Sequence, residues 1–220
     1  MSARQDILGR VRAALSDVPA SEPATWTEAE DDDPAAAYAR RGEAKGGALI
    51  ALFAERCGEY RARVTRVRAA SLRAAIEAAC ARHEATSLAV PVGLPDDWRP
   101  DAVELHVDRP QLSHRRLEHS GGALTGCALA IAETGTIVLD AGATQGRRAL
   151  TLLPDLHICV VLAAQIVAGV PEAIALLGVD ARSAARPLTF ISGPSATSDI
   201  ELKRVEGVHG PRRLEVLIVG

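Results

Sequence analysis

The chain has 220 residues, 48% of them hydrophobic and 24% charged, which is ordinary for one substantial water-soluble domain with a short appendage. A formal net charge of −3 with only 3% aromatic residues excludes the basic stripe and stacking platforms of a nucleic-acid binder. The longest apolar stretch, 158–170, is broken by Gln165 and Gly169 and is too short to cross a bilayer. The N-terminus lacks the apolar core of a signal peptide, so a cytoplasmic chain with reduced thiols is expected.

Residues 2–15 carry Ile7, Val11 and Leu15 at helical spacing, with arginines on the other positions. A linker with Pro19, Pro23 and the acidic run Glu28 to Asp33 follows, giving an appendage over 1–34 and a main domain over 35–220. Asp33-Pro34 is an N-cap with proline at the first helical position, opening a helix to Cys57 that is weakened at Gly46-Gly47. Strand alternation marks 60–68, and Ser71 begins a helix to about His83. Strands are expected at 87–90 and 103–107, with a short helix over 110–119 closed by Gly121-Gly122. This alternation predicts an α/β fold: an open, mainly parallel sheet flanked by helices. The pattern then changes. An apolar strand over 123–131, a tight turn at 133–136 and an apolar run at 137–139 have no helix between them, which predicts a local antiparallel pair near 123–140. The strongly apolar run 156–162 belongs at the sheet centre. Helical segments are expected at 163–168 and 171–177, and strands at 188–191 and 214–219, the last closing the sheet.

Three glycine-containing turns carry the candidate chemistry. They are Glu133-Thr134-Gly135-Thr136, Ser192-Gly193-Pro194-Ser195 and Gly207-Val208-His209-Gly210-Pro211. Glycines let a backbone approach a ligand, and hydroxyl and N–H groups cradle anions. The second turn runs on through Thr197 to Ser198-Asp199-Ile200-Glu201, a capping-box spacing that predicts a helix start. The expected ligand contacts are Thr134, Gly135, Thr136, Ser192, Gly193, Ser195, Thr197, Ser198, Asp199 and Gly210, around a small carboxylate or phosphate-containing molecule. Glu133 is a candidate acid, base or nucleophile if partly desolvated, and otherwise a solvated turn residue. His209 is a candidate acid/base or a backbone-bonded turn histidine. Asp199 near a helix start has a purely structural alternative. His157, alone in an apolar strand, reads as a satisfied core histidine. Cys57, Cys80, Cys127 and Cys159 are scattered, form no C-x-x-C spacing and read as small buried hydrophobes. No metal site and no cofactor are expected.

The run Ala130-Ile131-Ala132-Glu133-Thr134-Gly135-Thr136-Ile137-Val138-Leu139 comes first. Leu152-Leu153-Pro154 with His157 follows, then Ser192 to Glu201, then Gly207 to Pro211. Motifs of this kind in this order resemble those of the LUD-domain family, in its lactate utilization protein C (LutC/YkgG) branch. The resemblance covers most of 35–220. It implies a fold similar to the NagB/RpiA/CoA-transferase group. It also implies membership of a three-component system that oxidises L-lactate to pyruvate, with the iron–sulfur centres on the two partner proteins. Two other functions stay open. One is a free-standing acyl/CoA-transferase-like enzyme using Glu133, since Glu133-Thr134-Gly135 resembles the Glu-x-Gly of CoA transferases. The other is a non-catalytic interaction module.

Overall fold

The computed structural model describes residues 3–14, 16, 44–184, 186–197, 205–206 and 210–220. The chain divides into two units, Met1–Tyr38 and Ala39–Gly220. In the first, helix α1 (Ala3–Ala14) matches the periodicity. Asp6 and Arg10, one turn apart, pair at 2.9 Å on it. The acidic linker and the helix start at Asp33-Pro34 lie outside the described residues.

The second unit opens with α2 (Gly46–Glu59), β1 (Arg63–Val67), α3 (Leu72–Arg82), β2 (Ser87–Val90), β3 (Glu104–Val107) and α4 (His114–Glu118). It continues with β4 (Ala123–Thr125), β5 (Leu129–Ile131), β6 (Thr136–Leu139), α5 (Arg148–Leu152), β7 (Leu156–Leu162), β8 (Ile166–Val167) and α6 (Val170–Ala184). It ends with β9 (Thr189–Ile191), β10 (Ala196–Thr197), β11 (Val205–Glu206) and β12 (Arg213–Val219).

Six strands form an all-parallel sheet in the order β1-β12-β7-β4-β2-β3. Apolar residues alternate across it with the period of two that a pleated strand imposes. Ile158 and Val160 of β7 and Leu217 of β12 join Leu72, Ile76 and Cys80 of α3. Cys159, Val161, Val216 and Ile218 join Phe53 and Cys57 of α2 on the other side. Covering on both faces is what a parallel sheet requires, and it explains why β7 reads as an unbroken apolar run. Glu215 is the exception: fully buried among these residues, its Oε1 lies 2.8 Å from His83 Nε2 and accepts from Arg82 at 3.3 Å, tying β12 to the end of α3.

A second, mixed sheet runs β8-β5-β6-β9, with β6 antiparallel to both β5 and β9. The antiparallel pair thus falls where the turn pattern placed it, but three local expectations change. The strand expected over 123–131 splits, because Gly126 N–H donates to Thr144 O at 2.9 Å and a Cβ on Gly126 would sit 2.9 Å from Thr144 Oγ1. At that glycine the chain leaves the first sheet for the second. The helix expected over 163–168 is one 3-10 turn followed by β8, whose pairing with β5 satisfies the backbone instead. The C-terminal strand β12 does not close the sheet edge but inserts between β1 and β7. After Ser195 the chain enters β10, which pairs antiparallel with β11; the helix start expected at 198–201 lies outside the described residues.

Candidate functional site

Two of the three turns meet. Ser195 N–H donates to Pro211 O at 2.7 Å, joining the turn after β9 to the segment entering β12. Between them opens a cleft of about 360 Å³. Its sides are Arg148, Thr151 and Leu152 of α5, Thr189–Ile191 of β9, and the Ser192–Ser195 turn. Gly210, Pro211, Leu214 and His157 complete it. Gly193 can sit here because it has φ +142° and its Cα faces Tyr60, whose Cβ would lie 2.7 Å from any added Cβ. His157 and Leu214 are register partners near the starts of β7 and β12. The cleft therefore lies at the amino ends of these strands, against the usual preference of open α/β sheets for the carboxyl ends.

The first turn reaches this cleft only through hydroxyls. Thr134 Oγ1 and Thr136 Oγ1 are 2.7 Å apart, and Thr136 Oγ1 is 2.7 Å from Ser192 Oγ. Gly135 instead docks on α2: it has φ +59°, its carbonyl accepts from Cys57 Sγ at 3.3 Å, and an added Cβ would lie 2.7 Å from backbone atoms of Arg56 and Cys57. Glu133 is exposed and does not line the cleft. Ser192, Gly193, Ser195 and Gly210 are thus brought together, while Glu133, Thr134 and Gly135 stand apart. Thr197 is placed only by its backbone in β10, and Ser198, Asp199 and His209 lie outside the described residues.

The electrostatics of the cleft are simple. Arg148 is exposed, is the one cation among its described lining residues, and has no carboxylate partner among the described residues. His157 is buried with Nε2 2.8 Å from Thr125 Oγ1, and burial pushes its pKa down to about 4, so it is neutral at neutral pH. The histidine is satisfied within the core, as the strand pattern indicated, and also lines the cleft.

The LUD domain family matches residues 50–219. The chain belongs to the LUD-domain family. It is similar to lactate utilization protein C of Deinococcus radiodurans, with 52% identity over 172 residues, covering 78% of this chain and 80% of that one. Lactate utilization protein C of Bacillus subtilis is 30% identical over 135 residues, 57% of this chain and 55% of the other. A crystal structure of a DUF162 family protein from Deinococcus radiodurans superposes with a TM-score of 0.69 at 43% identity, covering 78% of this chain and 96% of that one.

This LUD domain has a second cavity, of about 480 Å³, beside the carboxyl ends of β4 and β7. Several of its polar groups are already committed. Gln145 Oε1 accepts from Asp140 N–H at 2.6 Å, Gln165 Nε2 donates to Cys127 O at 2.8 Å, and Asp140 pairs with Arg186 at 2.9 Å. Arg148, with no carboxylate partner among the described residues, is what selects the first cleft. Sequence reasoning missed Arg148, Thr151 and Phe190. The available signal was the pair Arg147-Arg148 just after Gly146, where a short segment begins; Arg147 is consumed by Asp108 at 2.8 Å, and Arg148 has no carboxylate partner among the described residues.

The LUD domain holds all four cysteines as buried thiols. Burial pushes Cys57 up to about 12 and Cys80 up to about 11. Cys127 is raised by its hydrogen bond with Cys159 and by burial. Among the described residues no group of three or more His, Cys, Asp or Glu could hold a metal ion. Thiols held protonated and out of solvent are poor nucleophiles. Ellman's reagent at mildly alkaline pH should therefore label none of them in the native protein and all four after denaturation. Rapid labelling of the native chain would show that the core admits reagent.

Proposed function

We propose that this chain is the component without iron–sulfur clusters of a system that oxidises L-lactate to pyruvate. It acts with iron–sulfur protein partners, and its cleft beside Arg148 holds an anionic ligand. The observation that carries this reading is the 52% identity to a relative named lactate utilization protein C, across 80% of that relative. The cysteines support it. A standard cluster needs convergent thiolates, whereas Cys80 belongs to a different core cluster from Cys57, Cys127 and Cys159. Acyl transfer through Glu133 is disfavoured, because a nucleophilic carboxylate needs a dry pocket and this one is exposed outside the cleft.

The test is genetic and biochemical together. Deleting the gene should abolish growth on L-lactate as sole carbon source, and a plasmid copy should restore it. The purified chain alone, given an artificial electron acceptor, should not oxidise L-lactate. Normal growth of the deletion strain, or robust oxidation by the isolated chain, would overturn the proposal.

A further inference from the structure

We infer that the cleft accepts an aliphatic monocarboxylate with a chain of medium length, its carboxylate on Arg148 and its tail along the apolar wall, and that lactate is too small and too polar to be its ligand. The inference rests on reading the cleft as an anion-binding site and names what that anion is.

Size comes first. A volume of about 360 Å³ lies within the range that encloses drug-sized molecules, several times what a three-carbon acid fills. A lactate ion there would remain largely hydrated and would gain little from the protein. The walls come next. Leu152, Phe190, Pro194 and Leu214 present apolar surface to the cleft. Phe190 is 46% exposed, although it belongs to a strand paired with β6, so a large aromatic face stands open to whatever enters. Each methylene laid against such a wall adds to affinity in a way a hydroxyl cannot.

Charge then limits the head group. Among the described lining residues Arg148 supplies the one positive charge, and its planar fork matches one carboxylate. His157 adds none, being buried and neutral. A phosphate monoester carries nearly two charges at neutral pH and would leave one uncompensated beside apolar surface. One cation among the described lining residues and the apolar wall beside it, in a cleft that also carries the hydroxyls of Thr151, Thr189, Ser192 and Ser195, fit a monoanion with an aliphatic body.

The probes are octanoate, octan-1-ol, L-lactate and pyruvate, titrated into the full chain below the micellar concentration of octanoate. Binding is followed by amide NMR shifts of Ser192, Gly193, Ser195 and Gly210. Octanoate should saturate these shifts at a concentration at least about tenfold lower than L-lactate or pyruvate. Octan-1-ol should bind more weakly than octanoate. Arg148→Ala, at an exposed position, should bring octanoate down to the level of octan-1-ol. Phe190→Ala should weaken octanoate while the circular dichroism spectrum stays unchanged. Three results overturn the inference. If L-lactate or pyruvate saturates the shifts first, the cleft stays an anion site and only the chain-length claim falls. If octanoate binds Arg148→Ala as tightly as it binds the parent chain, the assigned head-group contact falls. If none of the four probes shifts these amides, the anion-site reading of the cleft falls with it, whatever the growth experiment shows.

Discussion

Between pH 6.5 and pH 4 the folded chain should lose about 3 kcal/mol of unfolding free energy to one residue, His157. Its ordinary value of 6.5 falls to about 4 in the fold because burial penalises the imidazolium. Within that window the unfolded chain binds a proton that the native chain refuses. The unfolded state therefore gains as pH falls, and stability rises with pH. Above the window both states carry a neutral ring and the contribution is flat. Urea titrations at steps across the window should show this slope. His157→Gln keeps a hydrogen-bonding group next to Thr125 Oγ1 but cannot take up a proton, so it should flatten most of it. Asp108 does not confuse the reading. Burial alone would raise its pKa, but hydrogen bonds from Arg147 and the Leu112 N–H, with the Arg147 charge, outweigh burial and hold it below 3.8. Its stabilisation is present above 3.8 and is lost only as pH falls through the lower folded value, beneath the histidine window. An unchanged slope in His157→Gln would mean that this ring is not the group responsible.

Gly135→Ala should be the most damaging small substitution, costing about 2–5 kcal/mol. The figure combines the left-handed backbone penalty with forced overpacking. The turn holds φ +59° at this residue, and the new Cβ would lie 2.7 Å from the carbonyl carbon of Arg56 and the amide nitrogen of Cys57. Those are backbone atoms of α2 and cannot swing aside as a side-chain tip could. Relieving the contact means moving α2 off the β5–β6 turn, which also strains the Thr136–Ser192 hydroxyl link to the cleft. Gly178→Ala is the internal comparison. It lies within α6, an added Cβ meets nothing within 4 Å, and it should stabilise by about 0.5–1 kcal/mol. Opposite shifts in the urea midpoint of the two variants are the expected result. A Gly135→Ala protein that unfolds at the parent midpoint would show that α2 yields readily there.

Gly135 also shows how a correct choice of residue can rest on the wrong reason. From the sequence its turn reads as one where a glycine lets the backbone approach a ligand. The actual constraint is the approach of α2, from a segment 78 residues away in the chain. Gly193 is a similar case, with Tyr60 against its Cα on one side and the cleft on the other. The apolar strand before Glu133 suggests, from the sequence, a partly desolvated carboxylate. That strand ends at Ile131, and Glu133 emerges on the exposed side of the turn.

What the sequence determined by itself were the features that depend on near neighbours. The apolar run of β7 demanded burial on both faces and so a central place in a parallel sheet. The spacing of Leu72, Ala75, Ile76 and Ala79 demanded a helix with one apolar side. The absence of a helix between the apolar runs around 133–136 demanded an antiparallel return. Only the tertiary structure decided where those pieces meet. The break at Gly126 depends on Thr144, the strand at Ile166–Val167 depends on β5, and β12 finds its place only because β1 and β7 leave a gap between them. The cleft has the same origin: Arg148, His157, Phe190, Ser195 and Pro211 come from five separate segments. A chain's local periodicities specify which face of each element must be buried. The partner that buries it, and the charge that comes to stand at the rim of the cleft, follow from contacts between residues far apart in the chain, which no local pattern records.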